Sequence, residues 1–198
     1  MPKRILELLL VLIAAPIWLP LLILVALATR IALGSPILFR QSRGGLNGSI
    51  LQLYKFRTMI DARDEAGDML PDDLRLTAYG RFLRSTSLDE LPSLFNVLRG
   101  DLALVGPRPL FAQYLERYSP EQARRHAVKP GITGWAQVQG RNRVPWDERL
   151  AYDVWYVDNR SLWLDIKIIG LTILKVLRRE GISDADGPTM SRFTGPGS

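Results

Sequence analysis

The longest apolar segment of the chain lies near its start. Leu8 to Ala28 is a run of 21 residues without a charged side chain, close to the ~20 that a straight helix needs to cross the core of a bilayer. The run exceeds the ~7–15 residue apolar core of a signal peptide, and no Ala-x-Ala-like cleavage site clearly follows it. The pattern therefore predicts a membrane element that remains in the mature protein.

Two prolines interrupt this run. Pro16 and Pro20 each lack a backbone N–H and crowd the carbonyl one turn earlier, so we expect the helix to bend between them. Basic residues flank both ends of the run: Lys3, Arg4, Arg30, Arg40 and Arg43. Because basic flanks favour the cytoplasmic side of a membrane, a re-entrant hairpin over residues 1–34 is favoured, and a straight span is the alternative.

Beyond the run, two short segments predict a β-hairpin. Residues 37–41 and 50–59 are separated by a segment rich in glycine, serine and asparagine, a pattern typical of strand, turn and strand. Lys55 and Arg57 alternate with apolar residues of the second segment, so both cations are expected on one face of that strand. A solvated face is one interpretation of this pair, and an anion contact is the other.

In the rest of the chain the spacing of apolar residues mostly predicts helices. Helices are predicted over residues 81–84, 88–98, 146–158 and 162–179, with one more beginning at Ser119-Pro120, a short strand over 102–105 and a structured loop over 129–142. The last helix is broadly apolar with several cations, which suits either the membrane surface or the core.

These elements predict an α/β fold, predominantly helical, with a small β-hairpin or sheet. An N-terminal helix-break-helix hairpin and interfacial amphipathic helices would meet the membrane. The expected divisions are an anchor over residues 1–34, one cytosolic domain over 35–180 and a flexible tail over 181–198.

The composition limits which groups can do chemistry. The chain has no cysteine and one histidine, His126, which excludes disulfides, thiolate nucleophiles and a histidine-based metal cluster. Acid, base and nucleophile functions therefore fall mainly to carboxylates. A net charge of +6 suits anionic lipid head groups or phosphorylated substrates. Nucleic acid is not expected as a partner, because no basic motif interleaved with aromatic residues is present.

Two adjacent carboxylates stand in the segment Ser87–Pro92. In one interpretation Ser87 is a helix N-cap and Glu90 its capping-box partner, while Asp89 complements the positive helix end. In the other, a helix start that binds anions carries a carboxylate nucleophile and a metal-binding neighbour, which suits phosphate chemistry. The segment alone does not choose between them.

One arginine is held between two prolines. Pro107 and Pro109 fix the backbone on either side of Arg108, directly after the short predicted strand. A guanidinium presented so rigidly suits bidentate contact with a phosphate. A plain turn with a surface arginine is the alternative.

Five segments, in this order along the chain, resemble the bacterial sugar transferase family. They are Lys55–Met59, Ser87–Pro92, Asn96–Asp101, Gly106–Pro109 and Lys129–Gly134. The chain is similar to the small, PglC-type monotopic phosphoglycosyl transferases of that family. The resemblance covers nearly the whole chain.

That resemblance implies an enzyme on the cytoplasmic face of the bacterial inner membrane, acting at the first membrane step of glycoconjugate assembly. It would transfer a sugar 1-phosphate from a UDP-sugar to polyprenyl (undecaprenyl) phosphate and release UMP. The alternatives are a UDP-sugar glycosyltransferase that releases UDP and a non-catalytic membrane adaptor. The sugar and the oligomeric state stay open.

The resemblance also implies roles for individual residues. Asp89 would attack the phosphate attached to the sugar and form a covalent phosphosugar intermediate in a ping-pong scheme. Glu90 would be its partner, with a role in metal binding or proton handling, and the two carboxylates would hold Mg²⁺. The implied phosphate or nucleotide contacts are Arg108, presented by Pro107 and Pro109, and Lys55 and Arg57.

Overall fold

The computed structural model describes residues 2–140, 144–178 and 192–197, and helices predominate in it. The helices are α1 (Pro2–Ile13), α2 (Ala15–Leu33), α3 (Asp72–Arg75), α4 (Ala78–Ser85), α5 (Ser93–Arg99), α6 (Pro120–Ala123), α7 (Trp135–Gln139), α8 (Trp146–Asn159) and α9 (Leu162–Arg178). The strands are β1 (Leu38–Gly44), β2 (Ile50–Phe56), β3 (Ala103–Val105) and β4 (Gly131–Thr133), which form one antiparallel and one parallel pair. A mostly helical fold with a small sheet is confirmed.

The apolar run divides into two helices at Ala14. Pro16 lies in the first turn of α2, where a missing N–H is tolerated, so the break precedes it instead of lying between the prolines as predicted. Pro20 lies inside α2 without ending it. Nε1 of Trp18 donates a hydrogen bond of 2.9 Å to the carbonyl of Val11 and so joins the helices across the break. Among the described helices, α2 has the length and composition to cross a membrane.

Both ends of this helical pair contact the remainder of the protein. Near the start of α1, Nζ of Lys3 donates to the carbonyl of Val105 at 2.8 Å and lies 2.9 Å from the carboxylate of Asp165. Near the end of α2, Oγ1 of Thr29 lies 2.9 Å from the hydroxyl of Tyr79. The start and the end of the pair are therefore tied to the same folded body.

One apolar core joins the helical pair to the β1–β2 hairpin and α5. Its buried residues are Val11, Trp18, Leu51, Leu53, Val97 and Leu102. The ring of Trp18 also meets that of Phe95 edge to face, with 5.6 Å between centroids. The segment predicted as an anchor thus contributes side chains to the core that underlies the hairpin.

Large apolar side chains stay exposed on α1, α2 and α9. The most exposed are Ile13, Ile17, Ile31, Trp163 and Leu177. Exposed apolar surface of this extent is typical of a face that meets a membrane or another protein.

The β1–β2 hairpin presents one inward face. Arg43 pairs with Leu51, Gln41 with Leu53 and Phe39 with Lys55 across the antiparallel register. Because directly paired residues project to the same side of a sheet, the side chains of Gln41, Arg43 and Lys55 lie on the face that carries the buried leucines. This register places a cation at each end of that face.

The segment predicted as a structured loop over 129–142 contains regular structure. Residues 131–133 form β4, parallel to β3, and residues 135–139 form α7. Both elements are too short to show a clear hydrophobic period in the sequence. Gly106 permits the close approach of the two strands, because a Cβ atom there would lie 2.4 Å from the carbonyl oxygen of Lys129.

The predicted flexible tail lies partly outside the described residues, which omit 179–191 and 198. Within the described part, Phe193 is fully buried in a cluster with Leu110, Tyr114, Trp146 and Leu150. Its carbonyl accepts a 2.7 Å hydrogen bond from the guanidinium of Arg117. This aromatic residue packs as part of the fold.

Candidate functional site

Glu90 is the centre of an ionic cluster. Its Oε1 accepts a hydrogen bond of 2.7 Å from Nζ of Lys55 and another of 2.7 Å from Nη2 of Arg108. Burial raises the pKa of Glu90, but the attraction of Arg108 and Lys55 outweighs it and holds the pKa well below its ordinary value. Glu90 is therefore ionised and already engaged by two cations.

Asp89 lies beside this cluster in a different environment. It is 7% exposed, and its Oδ2 lies 4.0 Å from Nζ of Lys55. Burial raises the pKa of Asp89; the positive charge of Lys55 lowers it only in part, and the negative charge of Glu90 raises it further. Two neighbouring carboxylates whose pKa values are pushed in opposite directions are suited to different chemical roles.

The capping box that one interpretation places at Ser87 does not form. Ser87 adopts a left-handed conformation (φ 56°) and makes no side-chain cap, and its N–H donates to the carbonyl of Arg84. Glu90 cannot serve as the reciprocal partner because its carboxylate contacts the two cations. A capping box does form at Ser119 and Gln122.

The predicted helix over 88–98 is also divided. Leu88–Glu90 is a single 3₁₀ turn, and α5 begins at Ser93. Pro92 has no N–H to give to the carbonyl of Leu88, which accepts from the N–H of Leu91 instead. Asp89 and Glu90, called the dyad below, therefore lie on a tight turn ahead of the helix.

Two buried side chains of α5 fix this turn against β2. Oγ of Ser93 donates to the carbonyl of Tyr54 at 2.8 Å, and Nδ2 of Asn96 donates to the carbonyl of Gln52 at 2.8 Å. Oδ1 of Asn96 accepts from the N–H of Tyr54 at 3.3 Å. These bonds align Lys55, the next residue of the strand, with the dyad.

Arg108 is presented by the loop after β3, as the two prolines predict. The carbonyl of Pro107 accepts a 3.0 Å hydrogen bond from the N–H of Gly131, which fixes the loop to β4. From the other side, Nη2 of Arg125 donates to the carbonyl of Arg108 at 2.6 Å and lies 2.7 Å from the carboxylate of Asp153. Arg125 and Asp153 are almost completely buried, so they hold Arg108 without facing the cleft.

A small cleft opens beside the cluster. Its charged lining residues are Arg43, Lys55, Glu90 and Arg108. Asp89 is not among the lining residues, and its Oδ2 lies 4.0 Å from the ammonium of Lys55. Arg84 on α4 adds a further positive charge that acts on Asp89. Four cations therefore surround two carboxylates, an excess of positive charge that favours phosphate groups.

The structure places the other predicted residues as follows. Arg57 contacts the carbonyl of Ser35 at 3.3 Å and lies 3.8 Å from Asp61, so these contacts do not bring it to the dyad. Pro109 lines the cleft. His126 is buried, and burial, with the charge of Arg125, lowers its pKa to about 4. His126 is therefore neutral near pH 7 and no candidate acid in that range.

The dyad is the donor set available for a metal ion. In the part of the chain that the structure describes, no group of three or more acidic or histidine residues could hold one. Mg²⁺ is commonly bound by one or two carboxylates, completed by water and substrate phosphates. Asp89 and the second oxygen of Glu90 fit that pattern, whereas Oε1 of Glu90 is engaged by Lys55 and Arg108.

The known proteins that this chain is similar to are named as sugar transferases. The sequence model of the family described as "Bacterial sugar transferase" matches residues 1–179. The chain is 58% identical over 168 residues to "Uncharacterized sugar transferase EpsL" of Bacillus subtilis, covering 85% of this chain and 83% of that protein.

Two longer relatives carry more specific names. The chain is 46% identical over 165 residues to "Undecaprenyl-phosphate galactose phosphotransferase" of Salmonella typhimurium, covering 75% of this chain and 35% of that protein. It is 44% identical over 170 residues to "UDP-glucose:undecaprenyl-phosphate glucose-1-phosphate transferase" of Xanthomonas campestris, covering 80% of this chain and 35% of that protein. The chain spans about a third of the length of these two proteins.

Proposed function

The chain belongs to the bacterial sugar transferase family, and on that premise we propose that it transfers a sugar 1-phosphate from a UDP-sugar to polyprenyl phosphate and releases UMP. The observation that carries the proposal is the pairing of a buried carboxylate, Asp89, with a neighbour, Glu90, that two cations already neutralise. The names of the relatives support the reaction class, since they act on undecaprenyl phosphate with galactose or glucose phosphates.

The reaction follows a ping-pong scheme. A carboxylate oxygen of Asp89 attacks the phosphorus attached to the sugar, the bond from that phosphorus to the bridging oxygen breaks, and UMP leaves with the bonding pair. A phosphate oxygen of the lipid then attacks the same phosphorus and displaces Asp89. Lys55 lies within reach of both carboxylates, so it can stabilise the charge that moves between Asp89 and the phosphate.

Glu90 has a positioning role in this scheme. It holds Lys55 and Arg108 in place through one oxygen, and Arg108 is the phosphate contact of the loop after β3. The pKa of Glu90 is lowered and that of Asp89 is raised, so Glu90 orients the cations while Asp89, the more basic carboxylate, is the nucleophile.

Mg²⁺ fits the dyad as a cofactor completed by the substrate. Asp89 and the second oxygen of Glu90 would hold it, and when bound it would neutralise negative charge on the diphosphate. We expect EDTA to reduce turnover to background and added Mg²⁺ to restore it. UMP-release kinetics with Ca²⁺ as a comparison cation measure this, and full turnover in excess EDTA contradicts the metal proposal.

The N-terminal pair of helices would enter and leave the membrane by one face. Support comes from Lys3 near the start of α1 and Thr29 near the end of α2, which both contact the folded body. The exposed apolar residues of the two helices supply the surface that lipid would cover. The apolar face of α9 would then lie at the same interface.

A labelling experiment tests this topology. A cysteine introduced before Lys3, in a chain that has none of its own, should resist a membrane-impermeant maleimide applied from the periplasmic side and react after the inner membrane is opened. A cysteine in place of Ser49, in the hairpin turn, is the matched cytoplasmic control. Labelling of the N-terminal cysteine alone from outside identifies a straight span.

One assay tests the reaction itself. The full protein in nanodiscs is incubated with undecaprenyl phosphate and a panel of UDP-sugars, and the released nucleotide is identified by chromatography. Release of UMP with formation of a lipid diphosphate sugar is the expected result. Release of UDP identifies a glycosyltransferase, and absence of turnover with every donor favours a membrane adaptor.

A further inference from the structure

Arg43 is a second arginine in the candidate site, and its place follows from the hairpin register. It pairs with Leu51, while Lys55 pairs with Phe39, so Arg43 and Lys55 share the inward face of the sheet. Both line the cleft together with Arg108. Strand geometry alone thus directs a second guanidinium into the space beside the dyad.

The guanidinium of Arg43 is held in a fixed orientation. Nη2 donates to Oε1 of Gln41, Nη1 donates to the carbonyl of Pro109 at 3.4 Å, and the group lies 4.0 Å from the centroid of the Phe111 ring. The backbones of Arg43 and Phe111 also form an antiparallel bridge. Arg43 is therefore preorganised against the loop that carries Arg108.

The positive charge of Arg43 lacks a carboxylate partner of its own. No carboxylate oxygen among the described residues lies within ion-pair distance of it, and its buried Nε has no hydrogen-bond partner. Burial and the positive charge of Arg108 together lower the pKa of Arg43 to about 10. The negative charge of Glu90 offsets this lowering only in part, so a further anion bound between Arg43 and Arg108 would be favourable.

We propose that Arg43 is a second phosphate-binding arginine of this site, which holds one phosphate group of a diphosphate while Arg108 holds the other. The inference rests on the proposed function for the identity of the substrate, and on the geometry above for the binding of phosphate. The two arginines flank Pro109 from different elements, a hairpin strand and a loop, so a ligand with two linked phosphates can contact both. Binding it would relieve the repulsion between them.

The test measures the binding of inorganic pyrophosphate to the full protein in detergent. Binding is monitored by the shift that pyrophosphate causes in the melting temperature of the protein. Arg43→Gln should weaken pyrophosphate binding by roughly 10- to 100-fold, the usual value of a lost charge-assisted hydrogen bond. Arg43→Lys keeps the charge but loses the paired N–H donors of the guanidinium. Its affinity for pyrophosphate should lie between those of Arg43→Gln and the wild type. Arg40→Gln is the matched control, since Arg40 lies on the same strand and is exposed over the ring of Tyr54.

The outcomes separate a binding role from a bracing role. If Arg43→Gln melts like the wild type without ligand and binds pyrophosphate equally well, the inference is overturned, because the charge at position 43 then contributes nothing to phosphate binding. Loss of pyrophosphate binding at an unchanged ligand-free melting temperature supports it. The KM for the UDP-sugar and the KM for undecaprenyl phosphate then tell which substrate supplies the phosphate that Arg43 contacts.

Failure of the proposed function is visible independently. If the wild type turns over no UDP-sugar, the reaction is wrong, whereas the dependence of pyrophosphate binding on Arg43 is measured without any turnover.

Discussion

Replacement of Asp89 by Asn should abolish UMP release, with a loss of at least about 10³-fold in kcat, as expected when a covalent nucleophile is removed. The same variant should also fail to gain the mass of a phosphosugar when incubated with the UDP-sugar alone. Turnover by chromatography and intact-protein mass spectrometry measure the two effects. Asp73→Asn, an exposed residue of α3, is the matched control and should keep wild-type turnover.

The same substitution should leave the fold at least as stable as the wild type. Burial raises the pKa of Asp89 in the folded protein, so its ionised form is disfavoured there and its contribution to stability falls as pH rises through the raised pKa. An uncharged Asn removes that cost. A melting temperature at pH 8 that is equal to or above the wild-type value, together with lost turnover, separates a chemical defect from misfolding. Near-normal turnover of Asp89→Asn contradicts the nucleophile assignment.

Replacement of Asp153 by Ala should destabilise the protein by about 3–5 kcal/mol, the usual result of leaving one member of a buried ion pair without its partner. Asp153 and the guanidinium of Arg125 are each 1% exposed in their side chains, and Nη2 of Arg125 lies 2.7 Å from the Asp153 carboxylate. Chemical denaturation of the detergent-solubilised protein measures the change. Asp158→Ala, on the same helix and in an exposed pair with Arg124, should cost at most about 1 kcal/mol.

A double variant separates the two roles of this pair. Arg125→Met with Asp153→Leu removes both charges, so most of the stability should return. Turnover should not return with it, because the hydrogen bond from Arg125 to the carbonyl of Arg108 is also lost. Wild-type turnover by the stable double variant would show that the loop of Arg108 needs no such support.

Much of the site could be predicted because its residues lie in short, contiguous motifs. Two prolines on either side of Arg108 describe a rigid loop in any context, and the resemblance of Ser87–Pro92 to the family pointed to Asp89 and Glu90. The capping box at Ser87 was wrong for a tertiary reason. Glu90 gains more from two cations on other elements than from the N–H of Ser87, so a contact distant in sequence overrode a local preference.

Residues that act through distant partners could not be found in the same way. Arg125 and Asp153 stand 28 positions apart, and each looks like an ordinary surface charge until α8 packs beside the preceding turn. Arg43 counted only as a basic flank of the apolar run. Its spacing of two residues from Gln41 and its pairing with Leu51 place it on the same face as Lys55 once the hairpin register is known. Arg57 shows the reverse case, since β2 ends at Phe56 and the alternation that linked it to Lys55 ends there.

The contact of Trp18 with Val11 and Phe95 limits how the protein can be divided. A fragment that began after Leu33 would uncover the apolar side chains of β2 and α5 that now pack on the helical pair, and it would lose the cover over the helix that follows the dyad. Such a fragment would aggregate instead of dissolving as an active enzyme. Engineering a water-soluble variant therefore calls for polar substitutions on the exposed apolar face of α1 and α2, with both helices kept in place.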